Sequence, residues 1–124
     1  MILLDSDVLI AHLRGERRAA GWLSRTRESG PVSIGVVSLV EVIGGMRSTE
    51  RSQVWRLVSA LRTEPVTEII GRRAGELMRT YRRSHTGIGI AGYLIAATAE
   101  QRGAQLATLD VRHFPMFPDL EPPF

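Results

Sequence analysis

The sequence predicts an α/β domain built on a central, mainly parallel sheet, and three observations lead there. Short apolar runs bounded by polar or turn residues, suited to buried strands, recur near the N-terminus, after Gly30-Pro31 and near the C-terminus. Longer stretches with helical periodicity separate them. That alternation is the pattern of crossover-connected parallel strands, whose carboxyl ends are where such sheets bind ligands.

In chain order, Ile2–Leu4 is the first expected strand, and Asp5-Ser6-Asp7 opens a helix running from Val8 to Leu13. Arg17 to Glu28 follows as a helix with Ala19, Trp22 and Leu23 on one face. Val32–Ile34 is the second strand, and Ser38 starts the helix Leu39–Met46. Glu50 to Arg62 is expected as one amphipathic helix carrying Val54, Trp55, Val58 and Leu61, and Pro65-Val66 as an extended link. Glu68 to Arg83 is helical again. Ala91 to Arg102 is an almost wholly apolar helix closed by Gly103. Gln105–Thr108 is the last strand, and the Pro-rich segment from Phe114 to Phe124 is an irregular strap.

The 124 residues suit a single domain, 1–124, with no linker or repeat. Without cysteine, disulfides, thiolate catalysis and Cys-ligated zinc are excluded. The longest apolar stretch, Ile88 to Ala99, is short of the roughly 20 residues of a bilayer span, and no basic region precedes Ile2, so a cytoplasmic protein is expected. All 16 basic residues are Arg, with a formal net charge of +3. Arg suits phosphate through its planar fork, but Arg72, Arg73, Arg79, Arg82 and Arg83 fit a solvated helix face better.

Asp5 and Asp110 each directly follow an expected strand. Two carboxylates about 5 Å apart repel by roughly 3 kcal/mol at an effective dielectric near 20, so stability alone does not account for them. A hard divalent cation such as Mg²⁺ or Mn²⁺ neutralises such a group. The stretch from Met1 to Ile10 resembles the opening of PIN domains, and Ser38 to Gly45 is similar to their second acidic motif. Ile90 to Thr98 resembles the third motif and Leu106 to Pro115 the fourth, in order and across nearly the whole chain.

The resemblance is to PIN-domain ribonucleases of the VapC toxin type, and it implies a PIN-like α/β/α sandwich. It implies metal-binding or supporting roles for Asp5, Glu41 and Asp110, with Ser6, Asp7 and Thr108 around them. It also implies Mg²⁺ (Mn²⁺ possible), an RNA substrate such as tRNA, a VapB-type antitoxin, and a homodimer. The chain departs from the family at Gly92, where members carry a metal-binding Asp. Glu100 lies about 12 Å further along the helix and cannot take over. The alternative function is therefore a PIN-fold binding module that grips its antitoxin but cleaves poorly.

Simpler roles compete for several of these residues. Ser38-x-x-Glu41 has capping-box spacing, Asp5 suits a helix N-cap and Asp7 suits it better, and Asp110 suits a turn. His113 is expected to be structural or at the rim, and His12 and His85 lack metal-ligand spacing. Trp22 and Trp55 are expected in the core or at a dimer surface. Gly87-Ile88-Gly89-Ile90-Ala91-Gly92 matches a dinucleotide-binding fingerprint, but a polar, basic segment precedes it instead of a strand.

Overall fold

Alternation of side-chain direction along each strand explains the layering. In a computed structural model describing residues 1–124, β1 (Ile2–Leu4) sends Leu3 to one core cluster and Leu4 to another. The last strand, β4 (Gln105–Ala107), splits Leu106 and Ala107 in the same way. Between these strands the chain forms α1 (Ser6–Leu13), α2 (Arg17–Ser29), β2 (Val32–Gly35), α3 (Val36–Gly45) and a 3₁₀ turn at Ser48–Glu50. It continues through α4 (Arg51–Ser59), β3 (Arg62–Glu64), α5 (Glu68–Tyr81) and α6 (Ile90–Arg102), and a second 3₁₀ turn, Val111–His113, follows β4.

The sheet is four-stranded, in the order β3-β2-β1-β4, with every pairing parallel. Leu4 stands opposite Ile34 on one side and Ala107 on the other. Residues of α1, α2, α3 and α4 join one core cluster with Leu4, Val32 and Ile34. Ile70, Ala74 and Leu77 of α5 and the apolar row of α6 form the second with Leu3 and Leu106. This is the expected α/β/α sandwich. The strap is irregular, as expected, and lays Met116, Phe117 and Leu120 on the second cluster while Phe124 reaches Trp22 on the first.

The expected helix from Glu50 to Arg62 is shorter than its periodicity suggests, and a strand that the sequence reading missed follows it. β3 pairs with β2 from Ser33↔Arg62 to Gly35↔Glu64. Its polarity hid it: Arg62 and Thr63 are exposed at the sheet edge, and the buried Glu64 is held by Arg102 at 3.0 Å and Ser33 at 3.3 Å. Trp55 is not in the core, being 46% exposed beneath the Arg51 guanidinium, whereas Val54 is fully buried.

Other departures are at helix starts and ends. α3 begins at Val36, two residues before Ser38, so Ser38 lies within the first turn and forms no capping box with Glu41. Its hydroxyl is buried without a partner. α1 is capped by Asp5, which accepts from Ser6 N, and not by Asp7. α5 ends at Tyr81, α6 begins at Ile90, and Thr108 lies just beyond β4. Gly103 ends α6 at φ 58°, the left-handed geometry expected of it.

Ile34 is fully buried at the centre of the sheet. Ile34→Ala is expected to cost about 3 kcal/mol, read as a lower urea midpoint at unchanged slope.

Candidate active site

β1 and β4 run side by side and end together, so Asp5 and the segment from Thr108 to Asp110 leave the same edge of the sheet. Asp5 N also donates to Ala107 O at 2.9 Å, extending the parallel ladder to the site. Thr108 is fully buried there. Its hydroxyl lies 2.8 Å from Asp5 Oδ2 and 3.2 Å from Asp7 Oδ2, and accepts from Asp110 N at 3.1 Å. Asp5 Oδ1 accepts from Ser6 N at 2.8 Å. Asp7 turns away from the cap position and accepts from Leu109 N at 3.0 Å.

Glu41 joins from α3, at 3.2 Å from the Ser6 hydroxyl that donates to it. Asp110 instead pairs with the ring of His113. Asp5, Ser6, Asp7, Glu41 and Asp110 nevertheless share one cleft of about 240 Å³. Its far wall is Gly87, Ile88, Gly89, Ala91 and Gly92, from the segment before α6 and its first turn. Gly92 thus lines the same cleft as the acids and brings no carboxylate to it. Glu100 is engaged elsewhere, by Arg73 at 2.6 Å.

The charges in the cleft disturb one another. Burial pushes Asp5 up from the usual carboxylate range, against the Thr108 and Ser6 hydrogen bonds, and the Asp110 charge adds to the rise. Asp7 is pushed up to about 6 by burial, then by the Asp5 charge. Partial desolvation raises Glu41, with Asp5 again contributing. Asp7 Oδ1 is buried without a hydrogen-bond partner.

No three His, Asp or Glu side chains stand close enough to grip one ion together. The donor set is all oxygen, mutually repelling, and includes that unpartnered Asp7 oxygen. This fits a hard divalent cation of the Mg²⁺ kind, which is held through one or two carboxylates and keeps several waters. A larger cavity of about 950 Å³ opens at the opposite edge of the sheet, around Met1, Pro31, Gln105 and the strap. The carboxylates whose proton affinity is raised line the smaller cleft instead.

Sequence reasoning named the acids, Ser6, Thr108 and Gly92. It did not identify Gly87, Ile88 and Gly89 as cleft residues, and it left His113 between a structural role and the rim. The signal for His113 was its position three residues after Asp110, one turn away. The dinucleotide reading fails structurally, because a helix end and turns precede Gly87.

A PIN domain match covers residues 2–118. Over its full 124 residues the chain is 61% identical to Ribonuclease VapC10 of Mycobacterium tuberculosis, covering 93% of that protein. It is 45% identical, over 126 aligned positions and all of both chains, to Ribonuclease VapC19 of the same organism. The solved structure of VapBC2 from Rickettsia felis bound to a promoter DNA fragment has a chain of the same fold, with a TM-score of 0.81. Sequence identity there is 20%, with 97% of this chain and 96% of that one covered.

Two expectations follow from the geometry. Thr108→Val keeps shape but strips Asp5 and the Asp110 amide of a buried partner, at a cost of about 1–3 kcal/mol by urea unfolding. Asp7→Asn can keep both of its hydrogen bonds while removing a charge that folding disfavours. A raised carboxylate is protonated in both states below about pH 4, and its cost develops as pH climbs towards 6. In chelator, Asp7→Asn should therefore stabilise the protein at pH 7 by roughly 1 kcal/mol, allowing for solvent, and much less at pH 4.5.

Proposed function

The chain belongs to the PIN-domain family as a VapC-type toxin, and on that footing we propose that it is a divalent-metal-dependent endoribonuclease served by Asp5, Glu41 and Asp110. The observation that carries this reading is the shared cleft, lined by Asp5 after β1, Glu41 of α3 and Asp110 after β4, in which burial, and then neighbouring negative charge, raises the proton affinity of Asp5 and Glu41. Groups held in that state gain most from a bound cation. Mg²⁺ is the proposed ion, with Mn²⁺ able to replace it. When bound, such an ion supplies charge neutralisation at a phosphodiester and lowers the pKa of a coordinated water.

The protein's own contribution is placement. Thr108 and Ser6 hold Asp5 by 2.8 Å hydrogen bonds, and the Ser6 hydroxyl restrains Glu41. Asp7 ties the start of α1 to the segment after β4, and its second oxygen is buried without a hydrogen-bond partner. The glycine wall opposite leaves room for a phosphate strand to approach. Structured RNA such as tRNA is the proposed substrate. A VapB-type antitoxin is the proposed partner, and the homodimer belongs to the same proposal. Val40, Trp55, Ile69 and Ile90 are large exposed apolar side chains suited to burial against another chain.

A second reading, an antitoxin-binding PIN fold with weak cleavage, is favoured by Gly92 and by the open ligand set. A cleavage assay on total RNA separates them. The nuclease reading expects cutting with Mg²⁺, none with chelator, and a loss of about 100-fold or more in Asp5→Asn. Cutting that survives chelator and Asp5→Asn would overturn it.

Gly92→Asp tests the position directly. An added Cβ lies 3.2 Å from Ile88 Cγ2, a branch methyl that must give by a few tenths of an ångström. The new carboxylate stands in the first turn of α6, where the helix dipole favours it by about 0.3–1 kcal/mol, yet it adds repulsion across the cleft. The variant should melt lower in chelator, bind Mn²⁺ about tenfold more tightly, and cleave faster. Unchanged Mn²⁺ affinity would separate Gly92 from the metal centre.

A further inference from the structure

Among the three proposed ligands, Asp110 is held in a different way from the others. Asp5 is buried between Ser6 and Thr108, whereas 49% of the Asp110 side chain is exposed. The Asp110 backbone is well fixed: its N–H donates to Thr108 Oγ1, and its carbonyl accepts from His113 N at 3.2 Å. Its carboxylate is held by one group only. His113 Nδ1 bonds Oδ2, and Oδ1 makes no hydrogen bond within the protein. A carboxylate oxygen only accepts, so Nδ1 is the protonated ring nitrogen.

The other edge of the ring meets the facing wall. A Cβ added at Gly87 would lie 3.1 Å from His113 Nε2 and 3.7 Å from its Cδ2. Gly87, Asp110 and His113 all line the cleft. The ring therefore occupies a slot between the Asp110 turn and the segment before α6. Neither side of that slot is accounted for by core packing.

The geometry points to His113 as a positioning residue for the metal centre: it holds Asp110 through Oδ2, leaves Oδ1 as the ligand oxygen, and packs so close to Gly87 that a Cβ there would push the ring by a few tenths of an ångström. This rests on the reading of Asp5, Glu41 and Asp110 as the metal site. The physical basis is orientation. An exposed carboxylate must lose rotamer freedom to bind an ion, and an outer hydrogen-bond partner removes that freedom beforehand. Because the other two acids share no tight three-ligand set with Asp110, fixing Asp110 matters more here.

Calorimetric titration of the full chain with Mn²⁺ tests this on the wild type, His113→Ala, His113→Asn and Gly87→Ala, with Asp5→Asn as control. His113→Ala should bind about tenfold more weakly, the usual scale for losing an outer partner. His113→Asn, whose amide N–H can stand near the former Nδ1, should recover most of the affinity. Gly87→Ala should weaken binding although it removes no polar group, because its Cβ displaces the ring. Melting temperatures in chelator should stay within about 2 °C of wild type for both His113 variants, since the side chain is partly exposed. Equal or tighter Mn²⁺ binding by His113→Ala, with none by Asp5→Asn, overturns the inference and leaves the metal site standing. Equal binding by Asp5→Asn and wild type removes the metal site, and the inference falls with it.

Discussion

Asp5 and Asp110 leave neighbouring parallel strands at the same edge of the sheet, and their like charges oppose the approach that the strand pairing enforces. The Thr108 hydroxyl reconciles the two demands. It hydrogen-bonds Asp5 on one strand's end while accepting from the Asp110 amide on the other, and it lies within reach of Asp7 as well. Full burial sharpens these contacts, because no water competes for them. The remaining features of the cleft hang from this point. Ser6 follows Asp5 and reaches Glu41 on α3, so α3 is tied to the same strand end. His113 follows Asp110 by one turn and closes the rim.

Burial on both faces of the sheet lets so unfavourable a cluster persist. Leu3 and Leu106 on one side, and Leu4, Ile34 and Ala107 on the other, fix the ends of β1 and β4 to within one residue. A register slip would move every one of these side chains to the wrong layer. The cost of crowding carboxylates is thus spread over a core that has little freedom to relax it. The raised proton affinities of Asp5, Asp7 and Glu41 are the visible trace of that confinement.

Three strands and the acids were legible because apolar runs and strand-end aspartates are local signals. β3 was not. Its residues, Arg62, Thr63 and Glu64, show no apolar alternation, and the strand exists because β2 offers a free edge and Arg102 neutralises Glu64. Those partners are 29 and 38 residues away in the chain. The start of α3 was misjudged for a related reason: Ser38 looks like a cap, yet Gly35 already sits at the N-cap position, its backbone extended and its side chain absent. Asp7 lost the cap to Asp5 because the amide of Leu109, a hundred residues on, competes for its carboxylate. For β3 and for Asp7 a long-range partner outweighed the local signal, which for an N-cap is a preference of about 1 kcal/mol.

The glycine wall shows how the same confinement bears on activity. Gly92 sits in the first turn of a helix whose next residues, Tyr93 and Ile95 to Ala99, are buried, so its backbone position is not adjustable. With no carboxylate there, the metal-free protein is spared one more repulsive charge facing Asp5, Glu41 and Asp110. The same absence removes a charged oxygen from any ion held in the cleft. Metal-free stability and cation affinity therefore pull position 92 in opposite directions, and neither can be relieved by moving α6, which is locked by its packing on α5 and the sheet. Orientation of the acids that remain is then the only adjustable quantity. Such adjustment must act through the small polar contacts around the acids, Ser6 and the buried Thr108 within and His113 at the rim, and not through the apolar core.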